Sequence, residues 1–169
     1  VQTILNIFTS TSSSYLLMAS LDSARRYLSI HGKEVLDQTL AISRYGRNEI
    51  NKINCLYAFG NEIVGQPGIY RFDETKLSIN VAGLGITGFE VYTKIFEDYN
   101  IQLELADVFN VLAIISLGDT MENMDKLIEG LRGISEKYAK SDKLKNIMRP
   151  PLHNPKNVLS PRRAFYSNK

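Results

Sequence analysis

Val111-Leu112-Ala113-Ile114-Ile115-Ser116-Leu117, followed by Gly118-Asp119-Thr120-Met121-Glu122, joins the two elements on which the fold turns. The first seven positions are almost continuously apolar, the pattern of a central strand covered on both faces. Asp119-Thr120-Met121-Glu122 then brings a hydroxyl and two acids to a helix entrance. Beyond it Met124, Leu127, Ile128, Leu131, Ile134 and Tyr138 recur every three or four residues, predicting one buried side of a long amphipathic helix.

Working outward, Ile101-Gln102-Leu103-Glu104-Leu105 alternates as a half-buried strand, and Thr87-Gly88-Phe89-Glu90 fits a capping box. The helix that box opens is expected to reach Asp98 and to bury Val91, Ile95 and Phe96. Two more strands precede it, Leu56-Tyr57-Ala58-Phe59 and Leu77-Ser78-Ile79-Asn80-Val81. Gly60, Gly65, Pro67 and Gly68 mark the turns between them. The order β-β-α-β-β-α, with short connections, predicts an α+β fold: a small antiparallel or mixed sheet with helices on one face.

Helices come first in the chain. Val1, Ile4, Leu5 and Phe8 predict a short one, and a second is expected from Ser12 to about Leu28. His31-Gly32 reads as its end, with Gly32 in the left-handed C-cap position. A third helix, Lys33 to Ile53, places Leu36, Leu40, Ser43, Gly46, Ile50 and Ile53 on one stripe. Lys33, Glu34, Asp37, Arg44, Arg47, Glu49 and Lys52 then fall on a solvated face.

The entrance to the second helix is chemically distinctive. Thr9-Ser10-Thr11-Ser12-Ser13-Ser14 is a run of six hydroxyls, and Tyr15-Leu16-Leu17-Met18-Ala19 follows directly. Hydroxyls favour a helix N-terminus, where they cap backbone amides, and the same groups can hold a phosphate. The apolar residues behind them surround most of the helix, predicting burial on several sides.

Thr11-Ser12-Ser13-Ser14-Tyr15-Leu16-Leu17-Met18-Ala19-Ser20-Leu21-Asp22 resembles a segment of the pyridoxal-phosphate-dependent Orn/Lys/Arg decarboxylases, enzymes of the aspartate-aminotransferase fold type. Ser13 stands where that family usually has proline. The resemblance resumes at Leu84-Gly85-Ile86-Thr87-Gly88-Phe89-Glu90-Val91, at Tyr99-Asn100-Ile101-Gln102 and at Asn110 to Thr120. It returns at Leu159-Ser160-Pro161-Arg162-Arg163-Ala164-Phe165-Tyr166, where Arg163 replaces an acid. It implies the small domain of a fold-type-I pyridoxal phosphate enzyme. Thr11 and Ser12, with Ser10 and Ser14 beside them, are then expected to contact the cofactor phosphate of a partner subunit.

The family's cofactor-holding lysine follows a histidine, whereas here His31 precedes Gly32 and His153 precedes Asn154. No catalytic residue is therefore assigned. The chain is expected to be a fragment downstream of that lysine, inactive without the large domain of the same protein. The implied assembly is a homodimer or higher homo-oligomer acting on arginine, lysine or ornithine. A non-catalytic interaction module built on the same framework is the competing expectation. The expected divisions are a helical inter-domain segment at 1–30, the α+β domain at 31–145 and an extended basic arm at 146–169.

Composition agrees with a globular chain, at 44% hydrophobic and 22% charged over 169 residues. No apolar run approaches a membrane span, and a single cysteine, Cys55, fits a reducing cytoplasm. Two histidines and one cysteine make a zinc site an unfavoured reading. Gly83-Leu84-Gly85-Ile86-Thr87-Gly88 imitates a dinucleotide fingerprint, but its last glycine falls inside the capping box. The stretch from Asn146 to Lys169 holds five basic residues, no acids and four of the five prolines. It lacks interleaved aromatics, so an extended arm is preferred to a nucleic-acid contact.

Overall fold

The computed structural model describes residues 2–9, 12–139, 156 and 158–167. A short helix α1 (Gln2–Phe8) precedes α2 (Tyr15–Ile50). Then come β1 (Tyr57–Ala58), β2 (Lys76–Asn80), α3 (Gly88–Tyr99), β3 (Leu105–Ala106), β4 (Asn110–Ile114), α4 (Met121–Tyr138) and α5 (Pro161–Tyr166). The sheet is wholly antiparallel in the order β1-β2-β4-β3, so β4 is interior, as its apolar run predicts. Ile79 lies opposite Val111, and Leu77 opposite Ala113. All four are buried against Ile50 of α2, Val91 and Ile95 of α3, and Leu131 and Ile134 of α4. Helices therefore cover one face. The alternate residues Ser78 and Leu112 are half-buried, and Ile114 is exposed.

Local signals explain most boundaries. Thr87 accepts from the Glu90 amide, and Glu90 accepts from the Thr87 amide, completing the expected capping box. Thr120 caps α4 by accepting from the amide of Asn123. Met124, Leu127, Ile128, Leu131 and Ile134 are buried as the spacing predicts. Gly130 and Gly133 leave room for the ring of Tyr99 against α4.

Several expectations are corrected. α2 is one continuous helix of 36 residues, with no end at His31-Gly32. Gly32 does not take the left-handed φ that a glycine cap requires; among the glycines, Gly65, Gly68 and Gly85 do. One glycine costs about 1 kcal/mol in a helix, too little to stop it between two strongly helical segments. Leu36 is 46% exposed, and the buried stripe begins at Thr39. Arg47, expected in solvent, is 8% exposed. α2 also ends at Ile50, short of Ile53.

The strand expected over Ile101–Leu105 pairs only at Leu105 and Ala106. Glu104 still donates to the Leu112 carbonyl at 2.9 Å, but residues 101–103 diverge from β4. They line a cavity of about 520 Å³ with Ile114, Asn123 and Lys126. β4 stops at Ile114 because Ser116 turns onto Asp119, whose carboxylate accepts from the Ser116 amide and hydroxyl. The strand expected over residues 56–59 is paired only at Tyr57 and Ala58. Within the stretch expected to be an extended arm, Pro161–Tyr166 is helical, capped by the Ser160 hydroxyl with proline in its first turn. Val158, Leu159 and Phe165 are exposed there. Most of residues 146–157 lie outside the described set, Leu152 among them.

Candidate functional site

The hydroxyl run lies at the mouth of α2. Of its four candidate cofactor residues, Ser12 and Ser14 are described; Ser10 and Thr11 lie outside the described residues. Ser14 is the N-cap, in extended conformation at φ −96° and ψ 122°, and its carbonyl accepts the first helical bond from Met18 at 3.0 Å. Its side chain makes no capping hydrogen bond. Among the described residues the hydroxyl is thus uncommitted, although capping is what serine usually does there. The amides of Leu16 and Leu17 find no acceptor among the described residues. The first turn holds no acidic residue. Two serine hydroxyls, open amides and the positive end of a long helix form a donor set suited to a phosphate dianion.

Behind this entrance the expected burial is absent. Tyr15 (87%), Leu16 (83%), Leu17, Met18 and Leu21 are all exposed. An apolar helix surface thus stands largely open to solvent beside the α2 N-terminus.

The other chemical candidates resolve into structural roles. A Cβ on Gly83 would lie 2.7 Å from the Cys55 carbonyl oxygen. One on Gly88 would collide with the carbonyls of Asp107 and Asn110. Gly85 takes φ +71° after the 3-10 turn Ala82–Leu84. The amide of Gly88 donates to Val108, and the Thr87–Glu90 box closes the same terminus. These glycines serve close packing and a turn, which leaves no open cradle for a dinucleotide. Asp22 pairs with Arg25, and Glu122 with Lys126. His31 rests against the Tyr27 ring at 5.0 Å.

Sequence reasoning missed one polar centre. Arg47 donates from Nε to the Phe59 carbonyl at 3.0 Å and from Nη2 to the Glu74 carbonyl at 2.9 Å. Its guanidinium lies 5.3 Å from the Phe72 ring centroid. Burial lowers the pKa of Arg47. Arg44 grips the Glu74 carboxylate through two bonds, 2.7 and 2.8 Å. Those bonds, with a further one from Asn61, bring the Glu74 pKa down to about 2 despite partial desolvation. The Ser43 hydroxyl also donates to the Glu74 carbonyl at 2.5 Å. Together these groups fasten the long β1–β2 connection to α2. The signal was present, since Arg47 is four residues after Ser43 and three before Ile50, on the buried stripe.

A one-layer antiparallel sheet backed by helices, entered through a long helix with a hydroxyl-rich mouth, defines the class as an α+β unit with a candidate phosphate-facing terminus. Comparison with known proteins makes the assignment specific. Residues 1–123 match the family model "Orn/Lys/Arg decarboxylase, major domain", and the chain belongs to that family. It is 39% identical over 171 residues to an arginine decarboxylase of Bacillus subtilis (strain 168). It is 42% identical over 175 residues to one of Halalkalibacterium halodurans. Each alignment covers 99% of this chain and 34% of the relative, so the chain spans about a third of the length of these curated relatives. The constitutive lysine decarboxylase of E. coli shares the fold at a TM-score of 0.59 and 18% identity, over 78% of this chain and 23% of that one.

Proposed function

We propose that this chain is the small-domain part of a pyridoxal-phosphate-dependent basic amino-acid decarboxylase, the fragment downstream of the lysine that holds the cofactor. In that reading Thr11, Ser12, Ser10 and Ser14 face the cofactor phosphate across a homodimer interface. The uncovered helix surface from Tyr15 to Leu21 seats on the large domain or the partner subunit. The observation that carries it is the Ser14 hydroxyl: it sits at a helix N-cap, half-buried, and accepts no amide of its own helix.

The residues present fit the phosphate end of the cofactor and no more. Ser12 and Ser14 offer hydroxyl donors, Leu16 and Leu17 offer amides, and the α2 dipole favours the dianion. When bound, pyridoxal phosphate supplies the electron-withdrawing ring that lets carbon dioxide leave the amino acid. The chain's own share is to bind and orient that group and to exclude water with its apolar helix face. No described lysine stands in the family's His-Lys setting, so the chain alone is expected to be inactive. The substrate class is arginine, lysine or ornithine, and the setting is the cytoplasm.

The test is cofactor titration of the full-length dimer carrying Thr11→Ala/Ser12→Ala, or Ser14→Ala, with thermal melts in parallel. Hydrogen bonds to a charged group contribute about 1.5–3 kcal/mol each, and water replaces part of what two lost hydroxyls supply, so the double variant weakens cofactor affinity by roughly one to three decades. Because the Ser14 side chain caps nothing, Ser14→Ala leaves the melting point nearly unchanged. Unchanged affinity with a lowered melting point would overturn the reading and leave these hydroxyls a capping role.

A further inference from the structure

The sheet has an unfinished edge at the end of β4. Successive residues of an antiparallel strand turn their main-chain groups alternately toward the two neighbouring strands. Ile115 donates to the Thr75 carbonyl at 2.9 Å, and Val81 to the Phe109 carbonyl at 2.8 Å, so the odd-numbered residues along this strand face β2. Leu112 instead accepts from the Glu104 amide at 2.9 Å, and Asn110 from the Asp107 amide at 2.9 Å, so the even-numbered ones face β3. The next residue of that set is Ile114. Its amide and carbonyl turn toward residues 101–103, and neither finds a main-chain partner among the described residues.

These open groups border the cavity of about 520 Å³, a size that suits a small molecule. Its floor is apolar: Leu103, Ile115, Met124 and Leu127 line it, and each is at most 7% exposed. The two charged side chains of the lining are already engaged. Lys126 pairs with Glu122 at 2.9 Å, and the Asp119 carboxylate accepts from the Ser116 amide and hydroxyl. Gln102 is held too, donating from Nε2 to the Leu103 carbonyl at 3.0 Å and to the Tyr92 hydroxyl. An anion would therefore find no unpaired cation among the described residues of the lining. What stands open is one main-chain donor and one acceptor above an apolar floor.

We propose that this cavity binds a small neutral amide with a branched apolar group, of the kind an N-acylated aliphatic amino-acid amide presents. The ligand N–H donates to the Ile114 carbonyl, and a ligand carbonyl accepts from the Ile114 amide. The branched group packs on the floor against Met124 and Leu127. Both bonds extend the β4 ladder by one rung, which is how sheet edges recognise extended main chain. The assignment does not depend on the phosphate reading of Ser12 and Ser14.

The probe is N-acetyl-leucinamide, titrated against the full-length enzyme and followed by saturation transfer to the ligand. For about a dozen non-hydrogen atoms the expected dissociation constant is about 1 mM, with the strongest transfer at the isobutyl methyls. Ile114→Pro deletes the open donor and no bond to β2, because that amide faces away from β2. It should weaken binding about fivefold, the effect of one neutral hydrogen bond. The ester analogue of the probe, with oxygen in place of the acetamide N–H, cannot donate to the Ile114 carbonyl. It should lose a similar factor against the unaltered enzyme, so the test does not hang on the folding of the variant. N-acetyl-leucine, an anion at neutral pH, should bind more weakly than the amide. No saturable binding below about 10 mM, unchanged affinity in a folded Ile114→Pro enzyme, or equal affinity for the ester or the anion would overturn the assignment.

Discussion

Arg47→Met is the sharpest test of what holds the sheet's long β1–β2 connection to α2. Methionine keeps an unbranched stem beneath Phe72 but removes the donors to the Phe59 and Glu74 carbonyls. Hydrogen bonds to charged groups contribute about 1.5–3 kcal/mol each, and a stranded buried acceptor costs about 1–3 kcal/mol. The Glu74 carbonyl retains the Ser43 hydroxyl, so Phe59 bears most of the loss. The expected destabilisation is about 3 kcal/mol. With a urea slope of about 1.5 kcal/mol/M for a domain of this size, the midpoint falls by about 2 M. Arg47→Lys keeps the charge but lacks the planar fork, and should recover about half of the loss. The assay is urea denaturation followed by circular dichroism on the two variants and the parent. An Arg47→Met midpoint within about 0.3 M of the parent would refute the reasoning, because the guanidinium would then be replaceable by packing alone.

Three further outcomes follow from the same structure. Glu74 has its folded pKa depressed to about 2 from 4.5, so its contribution is present above pH 4.5 and is lost as pH falls toward 2. Glu74→Gln should flatten the stability–pH curve across that window by about 1–3 kcal/mol, a range discounted for the exposed Arg44 partner, and an unchanged slope in acid denaturation would contradict it. Gly88→Ala sets a methyl against the Asp107 and Asn110 carbonyls and should cost about 3 kcal/mol in denaturant melts; a neutral effect would show that the α3 entrance yields. Ser43→Ala deletes a buried donor to the Glu74 carbonyl and should cost about 1–2 kcal/mol, less than Arg47→Met, with the reverse ranking counting against the assigned roles.

By itself the sequence determined what is local. Periodicity and caps placed α3, β4 and α4, because a Thr-x-x-Glu box and an i, i+3, i+4, i+7 stripe act within a few residues. The order β-β-α-β-β-α and the α+β class followed from those elements, and the hydroxyl run with its downstream blocks pointed to the decarboxylase family. Tertiary structure decided what depends on neighbours distant in the chain. Whether α2 breaks at Gly32 is a contest between about 1 kcal/mol of glycine penalty and the helical segments on either side, which no local motif settles. Arg47 turned inward because the carbonyls of Phe59 and Glu74 lay within its reach. Residues 101–103 alternate like a strand yet part from β4, because pairing needs a partner edge as well as a pattern. The fate of the Ser14 hydroxyl was likewise invisible in sequence: serine at an N-cap normally bonds its own helix, and only the structure shows this one making no cap bond.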